Sequence, residues 1–154
     1  LQLLKLIRET SLSLRNNYTA QESPSIWLHI NSLGGNLFDV FGVADQIRTT
    51  TIPINSIVEG VAASAATIIS LACHNRYITP NSFMMIHQFS STTWGKYGEI
   101  KDEINLQDML YKKVVDYYAV RTKMKRKEVI GALDHDFWVD SSRAIERGLA
   151  DSLI

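Results

Sequence analysis

Apolar residues recur along this chain in two rhythms, one close to every second residue and one close to every 3.6. Leu1, Leu4, Leu6 and Ile7 predict a short amphipathic helix, and RNNYTAQESPS after it is a polar loop. IWLHI, at 26–30, is a short β-prone run that passes into NSLGGN, a glycine turn. Beyond Asn36, Leu37, Val40, Phe41, Ala44 and Ile47 repeat at helical spacing as far as Arg48. INSIV, at 54–58, predicts the next strand, Gly60 turns the chain, and 62–73 is a buried helix. RYIT and FMMIH bracket the turn PNS as two short strands. Ile100, Ile104, Met109, Val115 and Tyr118 lie along a long helix at 98–124, followed by a short one at 127–133. DSSRAIERG predicts a last helix, capped by Asp140 or Ser141 and stopped by Gly148. Strand and helix alternate at lengths that predict a single α/β domain over residues 1–154, around a largely parallel sheet.

Composition narrows the picture little. The chain has 154 residues and is 45% hydrophobic, enough for one domain with a real core. Sixteen basic and sixteen acidic residues cancel, so no bulk attraction to nucleic acid or an anionic membrane is implied. The one cysteine, Cys73, cannot close an intrachain disulfide, and no Cys/His cluster offers a metal site. A reducing, cytoplasmic setting fits that usage, and no cofactor is implied. No apolar run is long enough to span a membrane. The opening LQLLKLIRE has no methionine and lacks a signal-peptide cleavage pattern, so the chain is expected to begin part-way into a longer gene product.

Candidate chemistry centres on GVAASAAT and MMIHQ. Serine is a weak nucleophile at neutral pH and needs a base within hydrogen-bond reach, itself oriented by a third group. Charge developing on the electrophile needs backbone amide donors, as at a glycine turn or a helix N-terminus. Ser64 stands where a small-residue run enters a helix, Gly34 and Gly35 lie in a strand-to-helix turn, and His87 closes a strand. Each has an ordinary explanation: a serine at a helix start commonly caps it, and a strand-end histidine is commonly structural. His29 and His74 are taken as structural. Asp134, Asp136 and Asp140 are all open as loop or capping residues, and spacing alone does not select among them.

The ordered blocks INSLGGN, VEGVAASAAT, YITPNSFMMIHQ and RAIERGLADSLI resemble those of the ClpP family of self-compartmentalised serine proteases. The resemblance runs from about residue 26 to the end. It places the family's serine on Ser64, its histidine on His87 and its aspartate on Asp136, with the oxyanion amides on Gly35 and Ala65. It implies a crotonase-like fold, a spiral of ββα units with a protruding handle made of a strand after His87 and the long helix. Family members stack as two heptameric rings around a chamber that an AAA+ unfoldase feeds with unfolded chains. This predicts a homo-oligomer that buries the apolar stripe through Ile100, Ile104 and Val115. Substrate is expected to lie extended between Asn36 and Leu37 on one side and Ser90 and Ser91 on the other, joined by main-chain hydrogen bonds. Leu33 replaces the family's proline in the GG turn, Phe89 replaces the proline after HQ, and SSTTWG replaces a glycine-rich handle strand. The family's axial-loop segment has no counterpart ahead of Leu1 in this sequence. The alternatives are a catalytically inert ring subunit, a crotonase acting on acyl-CoA, and a serine–lysine peptidase using Lys96 or Lys101.

Overall fold

The computed structural model describes residues 2–18 and 24–154. Leu1 and the 19–23 stretch of the expected polar loop lie outside the described residues. Six helices and six strands follow in the order α1 (Gln2–Asn17), β1 (Ile26–Ser32), α2 (Leu37–Thr49), β2 (Ile54–Ala63), α3 (Ala65–Ala72), β3 (Arg76–Ile78), β4 (Phe83–Ile86), α4 (Tyr97–Arg121), α5 (Arg126–Leu133), β5 (Phe137–Asp140), α6 (Ser141–Arg147) and β6 (Ser152–Leu153).

β2 organises the sheet. β1 runs parallel along one edge of it, while its other edge is shared in tandem, Ser56–Val58 pairing β3 and Val61–Ala63 pairing β4. A strand can serve two neighbours on one edge only by bending between them. Gly60 makes that bend, at φ +86°, and β1 answers with a register shift between Ile30 and Ser32. So Gly60 kinks the strand rather than turning the chain, and Ala62 and Ala63, expected in a helix, pair with Met84 and Met85. β3 and β4 flank the PNS turn as predicted, yet they pair with β2 and not with each other. Ser82 of that turn is buried, accepts from the Gly60 amide at 2.6 Å and donates to the Val58 carbonyl at 3.1 Å, which stitches the turn to the kink. β6 extends the sheet beyond β3, and β5 closes it as the antiparallel neighbour of β4. The result is a six-stranded, largely parallel sheet bent at Gly60.

Local chemistry sets the helix ends. Asn36 caps α2 by accepting from the Phe38 and Asp39 amides, and Asp140 caps α6 by accepting from Arg143. Gly148 ends α6 in the left-handed conformation, at φ +75°. The core gathers Val40, Ala44 and Ile47 of α2, Ile68 and Leu71 of α3, Ile54 and Val58 of β2, and Val115 and Tyr118 of α4. Val115, expected on an exposed stripe, is thus covered by its own chain at 1% exposure, because the C-terminal half of α4 packs onto α3. Only the N-terminal half of α4 projects, with Ile104 exposed. The expected handle strand is absent: residues 87–96 run without regular structure, since the pairing of β4 ends at Met85 with β2 and at Ile86 with β5. Among the described residues no helix is long and apolar enough to cross a membrane.

Candidate active site

β2 passes into α3 through one residue, Ser64. Its backbone, at φ 55° and ψ −128°, is the one positive-φ position outside glycine among the described residues. Such a conformation costs about 1–3 kcal/mol and persists only where its surroundings enforce it. Four contacts enforce this one. The Ser64 amide donates to the Met85 carbonyl at 2.8 Å. Its carbonyl accepts from the Thr67 amide at 3.0 Å and the Thr67 hydroxyl at 2.6 Å. With its proton given to Ser64, the Thr67 hydroxyl takes a second bond, at 2.6 Å, from the buried Tyr118 hydroxyl. Burial of Tyr118 pushes its phenol pKa well up, so it remains a donor. The fourth contact is steric, from Gly34.

Ser64 holds the N-cap position of α3, yet its side chain makes no cap hydrogen bond. Its Oγ instead lies 2.9 Å from Nε2 of His87, whose Nδ1 lies 3.0 Å from Oδ1 of Asp136. An ionised carboxylate only accepts, so His87 Nδ1 carries the proton and Nε2 is left to accept from Ser64. Three segments meet here. The bent end of β2 supplies the serine, the residue after β4 the histidine, and the residue before β5 the aspartate. Ile86 and Phe137 face one another in the β4–β5 ladder, which sets His87 beside Asp136. Asp134 ends α5 as its C-cap, and Asp140 is spent capping α6.

Gly35 follows the positive-φ Gly34, and Ala65 opens α3. Neither amide has an acceptor among the described residues, so both are free for an incoming oxygen. The Ala65 amide also stands at the positive end of the helix dipole. A cleft of about 490 Å³ opens beside Ser64 and His87, and Asn36, Leu37, Ser90 and Ser91 all line it. Asn36 contributes there with its side-chain oxygen already committed to α2. Gln107 of α4 donates to Ser91 Oγ at 2.8 Å and Thr93 Oγ1 at 3.2 Å, which fixes the irregular segment across the cleft. Lys96 and Lys101 do not line it; Lys96 is the N-cap of α4. His29 pairs with Glu59 on the surface, and His74 bonds the start of β2. Burial pushes the Cys73 thiol up to about 12, so it offers no thiolate. Among the described residues no group of His, Cys, Asp or Glu could hold a metal ion.

Sequence reasoning had no hold on Thr67, Tyr118, Gln107 or the contact role of Gly34. Only the GG turn carried a signal, and that pointed to its amides.

A family model described as Clp protease matches residues 12–154. ATP-dependent Clp protease proteolytic subunit 1 of Chlamydia muridarum is 33% identical over 142 residues, covering 88% of this chain and 72% of that protein. Its namesake in Chlamydia caviae is 36% identical over 130 residues, 81% of this chain and 68% of that protein. Among solved structures, a ClpP1 mutant from Listeria monocytogenes superposes with a TM-score of 0.85 at 24% identity, covering 99% of this chain and 84% of that one. The last likeness speaks to the fold.

Proposed function

The chain belongs to the Clp protease family, and from that premise we propose that it is a serine endopeptidase in which Ser64, His87 and Asp136 cleave peptide bonds. The observation that carries this reading is the Ser64–His87–Asp136 chain of hydrogen bonds, at 2.9 and 3.0 Å. His87 Nε2 takes the Ser64 proton as Oγ attacks the peptide carbonyl, and later delivers it to the leaving amine. Asp136 holds the imidazole with its proton on Nδ1 and stabilises the imidazolium that forms. The Gly35 and Ala65 amides receive the oxyanion. Water then repeats the sequence on the acyl-enzyme and frees Ser64.

Substrate lies extended in the cleft between Asn36–Leu37 and Ser90–Ser91, whose irregular backbone has edge positions to offer a peptide. Main-chain pairing of that kind reads the backbone and suits unfolded polypeptides of varied sequence. Residues 1–154 act as one protease domain within a homo-oligomer of stacked rings, with an AAA+ unfoldase as partner and the cytoplasm as setting. Support for the oligomer comes from Trp94 and Tyr97 at the free end of the projecting helix, 97% and 84% exposed in the single chain, and from Ile104 further along it. The single, buried Cys73 accords with a reducing compartment. Labelling with a fluorophosphonate probe and mapping the adduct tests the mechanism. Ser64 is the expected site, and Ser64→Ala should lose on the order of 10⁴-fold or more in peptidase rate. An adduct on another serine, or an active Ser64→Ala, refutes it.

A further inference from the structure

The inner face of α4 carries Glu103, Leu106, Gln107 and Leu110 at i, i+3, i+4 and i+7, and all four line the cleft beside Ser64. Each is half-buried, whereas Ile104, Asn105, Asp108 and Met109 between them are exposed. Leu106 and Leu110 add to an apolar wall, and the Gln107 amide is committed to Ser91 and Thr93. Glu103 has no such commitment. Among the described residues its carboxylate makes no hydrogen bond and no ion pair, whereas Asp136, at the edge of the same cleft, is paired with His87. Apart from His87 it is also the one titratable side chain lining the cleft.

From this we infer that Glu103 is a specificity-determining residue, which makes one subsite of the cleft select a lysine or arginine side chain of the bound peptide. The inference rests on the peptidase reading for the identity of the ligand. The Glu103 side chain is half-buried in the cleft wall and its negative charge has no cation beside it. A lysine or arginine supplies the cation and lays its methylene stem along the leucine and phenylalanine walls. An aspartate or glutamate at the same place meets like charge in a partly desolvated cleft and is rejected. Backbone pairing would still hold any extended chain, so Glu103 sets where along the chain the scissile bond falls.

Binding separates this inference from catalysis. Rhodamine-labelled octapeptides, with lysine, norleucine or glutamate at each position in turn, are titrated against the full chain carrying Ser64→Ala. At one position lysine should bind about fivefold tighter than norleucine, the upper range for a partly exposed ion pair, and glutamate more weakly than either. Adding Glu103→Gln should bring the lysine-to-norleucine ratio near one, and Glu103→Lys should reverse it in favour of glutamate. No position with a lysine preference, a preference that survives both variants, or no binding of any peptide overturns the inference. Hydrolysis of the same peptides by the unsubstituted chain reports separately on the peptidase reading. Lysine-selective binding without hydrolysis would refute that reading and leave the subsite standing.

Discussion

Gly34 touches Ser64 so closely that a methyl group on its Cα would sit 2.9 Å from the Ser64 Cβ and 2.9 Å from the Ala63 carbonyl oxygen. Gly34 also lies at φ +110°, where L side chains are strained. Gly34→Ala must therefore push back the turn that aims Oγ at His87. We expect a loss of about 1–3 kcal/mol in stability, and a fall in kcat beyond tenfold as the nucleophile moves off its base. Gly42→Ala is the control. It lies within α2 with nothing in reach of a new Cβ, so stability should rise slightly, by up to about 1 kcal/mol, with kcat unchanged. Comparable kcat losses in both variants would refute the contact role of Gly34.

Asp136 and Asp134 should separate cleanly. Asp136→Asn replaces the acceptor facing His87 Nδ1 by a group that no longer enforces the tautomer, so kcat should fall on the order of 10³-fold or more. Asp134 is exposed at the end of α5, and Asp134→Asn should stay within about twofold of the parent. Steady-state kinetics on one fluorogenic peptide decide it, and swapped phenotypes would refute the assignment.

Thr67 and Tyr118 offer a graded test of how the strained serine is held. Tyr118→Phe removes one hydrogen bond and leaves the Thr67 donor on Ser64 in place, a cost of about 1 kcal/mol. Thr67→Val strips a bond from the Ser64 carbonyl and strands a buried phenol hydroxyl, a cost of about 2 kcal/mol or more. Urea unfolding should rank the two in that order, and kcat should follow. Equal effects would mean that the chain of bonds from α4 does not steady the turn.

Acid sensitivity should pass through Asp151. Burial alone would raise its pKa, but hydrogen bonds from the Arg76 side chain and amide and the Arg76 charge outweigh that and hold it below the usual aspartate value of 3.8. A group with a depressed folded-state pKa contributes stability in full above its unfolded value, and the contribution is lost as pH falls through the folded one. Asp151→Asn should therefore lower the melting temperature at pH 7 and bring the two curves together at pH values below 3.8. A constant gap across that range would mean the ion pair contributes nothing titratable. Arg76 also donates to the Arg121 and Gly148 carbonyls, so Arg76→Ala should cost more than Asp151→Asn at every pH.

Much of this was legible in the chain itself. Helices α2, α5 and α6 follow from their apolar spacing and their caps, because such signals are local. The strand character of Ala62 and Ala63 was not legible, since alanine favours helices and only pairing with Met84 and Met85 overrides it. The missing handle strand has a similar origin, because SSTTWG has strand-forming residues but no neighbour within this chain to pair with. Spacing alone left Asp136 one of three nearby aspartates and the motif blocks singled it out with Ser64 and His87; in the fold, the β4–β5 ladder sets it against His87. Thr67, Tyr118 and Glu103 gave no local signal, for each acts through a partner far away in sequence.

The bend at Gly60 and the closing strand β5 also bear on the chain's own synthesis. Ser64 and His87 leave the ribosome well before residues 136–140, which bring to His87 the carboxylate it pairs with. On the proposed mechanism, a nascent chain that has not reached β5 has its nucleophile and base without their orienting acid. On that mechanism, hydrolytic competence waits on residues 136–140, when β4 gains its second neighbour.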